Sequence, residues 1–384
     1  MTTVKIALID YVCDPRKPAI SGLSDEVWDI ARQLKKLNHD VHIIAPYLSD
    51  NYPNVGIAVH RFPLPPIAYR NIVGHVWILL RAVRVLRKMQ SVDVVHNPEY
   101  VSTAIVSLLC PSIPVVFTEP GNIYERIQNG NGYDWITTQV YKLAAKISAR
   151  RATYCIATSE LMEWWWSRIG VKAGKIERIP LGVDVSLFQK RRTSEPVETF
   201  ENGKLHIVYV ARLSPENGPD VTLKAFSHLL RREPDSVLHM IGDGLEGDKL
   251  RKLSDSLSVS ASVRWHGWVD LDVLPILYSV ADVMVFSGYS GGTPRVLLQA
   301  MACETAVVAP AIGGIVDHVK DGETGLLFPA GDYIQMAAKI EALFQDPDNR
   351  KRIGQRASDY VNANLSWEVL ARRLMTVYER AAGV

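Results

Sequence analysis

The chain has 384 residues, of which 47% are hydrophobic and 22% charged, which describes a soluble globular protein long enough for two domains of ordinary size. A net charge of +2 argues against nucleic acid as a partner. The charge is uneven: residues 1–190 carry about six more basic than acidic groups, and the remainder about four more acidic.

In chain order, residues 4–9 read as a buried strand, followed by a loop with Gly22, a helix over 24–37 and a second strand at 41–44. That is the βαβ unit of a doubly wound sheet. Gly22 would let the backbone approach a phosphate, or simply make a turn. Residues 71–89 have a helical period, with Val73, Val76, Trp77, Leu80 and Val83 on one side and Arg81, Arg84, Arg87 and Lys88 crowding the last turns. Those cations suit the dipole of a sheet-covering helix. They also suit an anionic lipid surface, and Lys142, Lys146, Arg150 and Arg151 form a second basic helix.

Strands at 92–96 and 114–118 end in polar residues, at the edge where open α/β sheets bind ligands. This makes His96, Glu99, Glu119 and Asn122 candidates for holding a polar substrate, each with the alternative of a satisfied structural group. Residues 129–132 (Asn-Gly-Asn-Gly) form a loop. A strand follows at 154–159, and then Trp164, Trp165 and Trp166, which cannot all face one side of a helix. Residues 190–203 have the polar composition of a linker. Strand patterns restart at 205–210, 236–241, 263–265, 283–287 and 306–309, and a terminal helix spans 367–381. The cysteines Cys13, Cys110, Cys155 and Cys303 are scattered, with no metal-ligand or disulfide spacing. With no apolar run of transmembrane length, and residues 4–9 too short for a secretion signal, the expected setting is the cytoplasm.

The second half is organised around residues 289–302. An apolar strand leads into a small-residue loop (Gly291, Gly292, Thr293) and then a helix on which Val296, Leu297, Ala300 and Met301 recur. Such a helix start presents unpaired N–H groups and a positive dipole end to an anion, and Pro294 is expected in its first turn. Arg212 follows the first strand of this half, and its planar fork suits a diphosphate. Gly242 and Gly244, His266 with Gly267, and Gly313 with Gly314 end three further strands near the same crevice. Asp270 and Asp272 read as helix-capping residues rather than a metal pair.

These motifs together resemble the retaining glycosyltransferases of family four. They are Ala211-Arg212-Leu213 with Asn217-Gly218, Ile241-Gly242-Asp243-Gly244, His266-Gly267, Gly291 with Gln299-Ala300-Met301-Ala302, Gly313-Gly314 and Asp321-Gly322-Glu323-Thr324-Gly325, with Gly22, Asp93-Val94-Val95-His96 and Leu181-Gly182-Val183-Asp184 upstream. The resemblance implies GT-B architecture, with two Rossmann-like doubly wound α/β domains facing a cleft. The N-terminal, acceptor-side domain (1–190) would be joined by the terminal helix (367–384), which crosses back to it. Residues 203–366 would bind the nucleotide-sugar.

The resemblance also implies transfer of a sugar from a nucleoside-diphosphate donor to an unidentified acceptor, without metal or other cofactor. Arg212, Glu119 and Asn217 fall at the catalytic positions. Gly22, Gly242, His266, Gly291, Gly292, Thr293, Pro294, Arg295 and Gln299 fall at donor positions, and His96, Glu99 and Asn122 at acceptor positions. The chain departs from the family's pattern where a Lys is usual (Asn217), at the paired acidic residues (Gly291 and Gln299) and at a His of the first domain (Pro120). Two readings therefore stand beside the enzyme: a silent or weak nucleotide-binding partner subunit, and a different reaction, epimerisation or cyclitol coupling, on the same fold. Peripheral attachment to an anionic membrane is a further expectation from the basic helices.

Overall fold

The runs read as buried strands pair in parallel and divide between two sheets. The computed structural model describes residues 3–10, 22–45, 56–62, 72–89, 91–98, 100–119, 135–191, 200–201, 203–289 and 291–384. Two α/β units result, Met1–Gly182 with Trp367–Val384, and Val183–Ser366. No described helix is long and apolar enough to cross a membrane.

The first unit contains β1 (Lys5–Ile9), β2 (Asp40–Ala45), β3 (Ala58–Arg61), β4 (Val94–Asn97), β5 (Val115–Glu119), β6 (Tyr154–Ala157) and β7 (Ile176–Arg178), in the order β3-β2-β1-β4-β5-β6-β7. Helix α1 (Gly22–Lys36) and the last helix of the chain, α13 (Trp367–Ala382), cover one face. Val27, Ile30 and Leu34 of α1 meet Trp367, Leu370, Leu374 and Tyr378 of α13 over Ile6, Leu8, Val41 and Ile43. The chain's end thus belongs to the first unit, as expected. Gly182 sits against this helix so closely that a Cβ would fall 2.3 Å from the Trp367 ring. On the other face lie α2 (Ile72–Lys88), α3 (Tyr100–Leu109), α4 (Trp135–Arg151) and α5 (Glu160–Ile169). Of the three tryptophans on α5, Trp166 is fully buried against Tyr100 and Phe117, while Trp164 is half exposed.

The second unit contains β8 (Leu205–Val210), β9 (Ser236–Ile241), β10 (Val263–Gly267), β11 (Val283–Val285), β12 (Ala306–Pro310) and β13 (Leu326–Phe328), in the order β10-β9-β8-β11-β12-β13. Its helices are α6 (Pro219–Leu230), α7 (Gly247–Ser256), α8 (Leu274–Val280), α9 (Arg295–Ala302), α10 (Ile315–His318), α11 (Tyr333–Gln345) and α12 (Pro347–Asn364). In both sheets the strand order reverses beside the first strand, at β1/β4 and at β8/β11. Such a switch point opens a crevice at the strand C-termini.

The polar stretch after Lys190 had marked the linker, but the chain joins the second unit earlier. Val183 donates to Leu365 O (2.9 Å), Phe188 is buried in that unit's core, and Lys190 Nζ donates to Ser279 O (2.8 Å). Residues 192–199 lie outside the described residues. The strands β3, β7 and β13 carried no clear sequence signal, being three or four residues long, mostly only partly buried and at or next to sheet edges. Pro294 stands one position before its expected place, at the N-cap of α9 with extended backbone (φ −70°, ψ 120°). Asp270 and Asp272 do not cap α8, whose cap position is Val273 with no side-chain bond.

Candidate functional site

The loops after β8, β9, β11 and β12 are laced together by backbone hydrogen bonds. Ala211 N–H donates to Ile241 O (3.1 Å), Leu213 N–H to Asp243 O (2.9 Å) and Gly242 N–H to Gly267 O (2.7 Å). On the other side of β8, Tyr289 N–H donates to Glu216 O (2.9 Å) and Gly314 N–H to Gly291 O (3.0 Å). The glycines follow from this density. Gly242 has φ +128° and its Cβ would lie 2.0 Å from Ala211 O; Gly313 has φ +47° and its Cβ would lie 2.0 Å from Gly291 O. Any side chain at either position would drive two loops apart.

Arg212 leaves the end of β8 with a side chain 65% exposed, and Nη2 pairs with Glu216 Oε1 at 2.9 Å. Asn217 supplies no charge. Its Nδ2 donates to Arg212 O (2.9 Å) and Ser214 Oγ (3.3 Å), and its carbonyl accepts from the buried Tyr209 hydroxyl (2.9 Å). Burial raises the Tyr209 pKa well above the ordinary phenol value, so this donor keeps its proton. Ser287 Oγ donates to Gly218 O (2.6 Å) and meets Thr222 Oγ1 (2.8 Å), tying the strand before the small-residue loop to the start of α6.

At the start of α9, Leu297 N–H donates to the N-cap carbonyl, Pro294 O (3.1 Å). Two buried polar atoms stand there without hydrogen-bond partners among the described residues, Thr293 Oγ1 and Gln299 Oε1, in residues 7% and 5% exposed. Buried polar atoms are rarely left so. Gly291 and Gly292 precede them in the same loop, and Arg295 is the first residue of the helix. Thus Arg212, Asn217, Gly291, Gly292, Thr293, Pro294, Arg295 and Gln299 lie on the segments that follow β8 and β11, the strands of the switch point, and Gly242 on the loop after β9.

His266 belongs to a different arrangement. Its Nε2 meets His239 Nδ1 (2.9 Å), and His239 Nε2 meets His206 Nδ1 (3.0 Å). His206 Nε2 in turn lies 2.9 Å from Glu201 O, a group that only accepts, and Phe200 stacks on His239 with ring centroids 4.0 Å apart. Burial holds His239 down to about pKa 3 and lowers His266.

In the first unit His96 ends near the C-terminus of β4, 95% buried. Nδ1 lies 2.6 Å from the Tyr378 hydroxyl and Nε2 2.7 Å from Thr118 Oγ1. Burial pushes its pKa down to about 4. Both nitrogens are thus occupied within the unit. Beside it, Asn97 is fully buried, and both side-chain polar atoms lack hydrogen-bond partners among the described residues. Gly22 opens α1 and Glu119 ends β5. Glu99, Asn122 and the loop 129–132 lie outside the described residues.

Two residues escaped the sequence reading: Glu216, whose i,i+4 spacing from Arg212 was a usable signal, and Asn97, which had none beyond its place at a strand end.

Two family models match the chain: Glycosyltransferase Family 4 over residues 20–187 and Glycosyl transferases group 1 over residues 190–360. Among solved structures, sucrose-phosphate synthase from Thermosynechococcus elongatus superposes with a TM-score of 0.85 at 22% identity, covering 98% of each chain. Anabaena Alr3699/HepE, crystallised with UDP and glucose, superposes at 0.79 with 19% identity over 97% of this chain and 99% of that one. Each half of the chain thus matches a glycosyltransferase domain model, and the fold is that of these two-unit structures. The D-inositol 3-phosphate glycosyltransferase 2 of Catenulispora acidiphila is 30% identical to this chain over 224 residues, 55% of this chain and 52% of the relative. The alignments with the first such curated relatives span about half of each relative's length (49–52%).

Proposed function

We propose that this glycosyltransferase moves a sugar from a nucleoside-diphosphate donor to a hydroxyl acceptor, with retention at the anomeric carbon and without a catalytic metal or other cofactor. The observation that carries the reading is that Arg212 follows β8 while the unsatisfied polar atoms of Thr293 and Gln299 follow β11, the adjacent strand at the switch point. When the bond from the anomeric carbon to the β-phosphate oxygen breaks, charge develops on the departing diphosphate. Arg212 and the first-turn N–H groups of α9 stabilise that charge electrostatically. Thr293 and Gln299 bind donor hydroxyl or phosphate oxygen, and Gln299 does so as a neutral amide that can both give and accept. Gly291 leaves space beside the sugar. Glu119, Glu99 and Asn122 are the first-unit residues assigned to the acceptor side, whereas His96 has both ring nitrogens taken by Tyr378 and Thr118, and His266 Nε2 is taken by His239.

The uridine nucleotides bound by Alr3699/HepE make a UDP-sugar the first donor to assay. The purified chain, given a panel of UDP- and GDP-sugars, should release nucleoside diphosphate faster with acceptor than without, and the product anomer read by NMR should match the donor's. No release with any donor and acceptor would leave the second reading, a silent nucleotide-binding subunit. Asn217 favours that alternative, since its amide is spent on the Arg212 loop and supplies no second cation.

We also assign the α2–α4 face to an anionic bilayer surface. None of α2, α3 and α4 contains a carboxylate, and α2 and α4 carry Arg81, Arg84, Lys142, Lys146 and Arg150 beside the exposed Leu80, Trp135 and Leu143. Arg87 and Arg151 have a further role: they donate to the C-terminal carbonyls of α3, Leu109 O (2.6 Å) and Ser107 O (3.5 Å).

A further inference from the structure

At the edge of the first sheet, between β1, β2, β3 and the last turn of α2, lies an open cavity of about 530 Å³. Lys5, His42, His60, Arg61 and Lys88 line it, with Val85 and Met89 of α2 behind. The described lining contains three cations, two imidazoles and no carboxylate. None of these residues belongs to the sugar-transfer site.

The strands place them. Parallel register sets Ala7 beside His42 and His42 beside Ala58, so Lys5, His42 and His60 project from the same face towards α2. The two imidazoles stack with centroids 5.2 Å apart, and His42 Nδ1 lies 2.9 Å from His60 Nε2. That leaves His42 Nε2, a buried atom without a hydrogen-bond partner among the described residues; Asp40 Oδ1 is 3.2 Å away but out of line for one. Asp40, at the rim, also lies 3.9 Å from Lys5 Nζ. Lys88, on the α2 side, makes no ion pair among the described residues.

We propose that this cavity is a phosphate-binding site. Its cations come from three elements, β1, β3 and α2. The anion's oxygens give the buried His42 nitrogen the partner it lacks. Two sources carry this chemistry, a soluble phosphate and the phosphate headgroup of a lipid. The second is continuous with the carboxylate-free surface of α2 and α4, because Lys88 belongs to both. The inference does not depend on sugar transfer, and its test reads binding directly.

The full chain would be titrated with inorganic phosphate, following the imidazole proton resonances of His42 and His60 by NMR and the heat by calorimetry. Saturable shifts of these two rings are expected. Lys88→Gln and, separately, His60→Gln should weaken binding by about three- to tenfold, as for partly solvated charged hydrogen bonds. Flotation with phosphatidylcholine vesicles containing phosphatidate separates the sources. Loss of flotation in both variants assigns the site to a headgroup, and unchanged flotation with weakened phosphate binding assigns it to a soluble phosphate. Circular dichroism confirms that each variant is folded. Phosphate and phosphatidate that leave both rings unmoved, or that bind the variants as tightly as the wild type, would overturn the site.

Discussion

Tyr378 and His96 stand 282 positions apart, yet the tyrosine hydroxyl and imidazole Nδ1 are 2.6 Å from each other, both buried. The contact fastens the last helix to the end of β4, and Thr118 takes the other nitrogen. Tyr378→Phe would leave a buried imidazole nitrogen unsatisfied, at a cost of about 1–3 kcal/mol. Urea unfolding of the variant should show the loss; a midpoint equal to wild type would mean the bond contributes nothing net.

The buried histidines make stability depend on pH, with a definite sign. His96 and His318 are held down to about 4 and His239 to about 3, mainly by burial, while the unfolded chain titrates near 6.5. Below pH 6.5 the unfolded state takes up protons that the folded state refuses. Stability from these groups is therefore complete above pH 6.5 and falls as pH drops towards the folded values. His96 alone accounts for about 3 kcal/mol by pH 4. Urea midpoints measured from pH 8 to pH 4 should be level at first and then decline, and His96→Gln should flatten the decline.

For the diphosphate, Arg212→Ala should weaken UDP binding by about 1.5–3 kcal/mol, the range of a charged hydrogen bond. Glu216 competes for the same guanidinium. Glu216→Gln should therefore tighten UDP about two- to fivefold, the scale of an exposed ion pair. Calorimetry reads both. Arg212→Ala with unchanged affinity would remove this residue from the donor site.

Asn217→Lys restores a second cation but gives up the two bonds that hold the Arg212 loop. Nucleotide affinity should rise whether or not the protein turns over, because binding needs only the charge. Turnover separates the readings: an active enzyme works as it stands. A silent one should gain activity only when Asn217→Lys is combined with Gly291→Glu and Gln299→Glu. The product assay with a donor and acceptor panel reports which.

What the sequence alone determined was whatever repeats locally. Buried parallel strands read as apolar runs, and β1, β4, β9 and β12 lay where those runs fell, because a strand covered on both faces needs apolar residues at nearly every position. The loop glycines and Arg212 were legible for a similar reason, since close backbone approach and a forked cation each demand one residue type.

Only the tertiary structure decided which partners those residues find. Nothing local tells that His266 joins two other histidines across three strands. Nor does it tell that His96 is closed off by a tyrosine from the far end of the chain. The short strands β3 and β7 follow the same rule. Edge strands of three or four partly solvated residues have little apolar pattern, and pairing with a neighbour distant in sequence is what makes them strands. Hydrophobic periodicity reports burial one residue at a time, whereas a hydrogen bond or an ion pair depends on two positions that only the folded chain brings within reach.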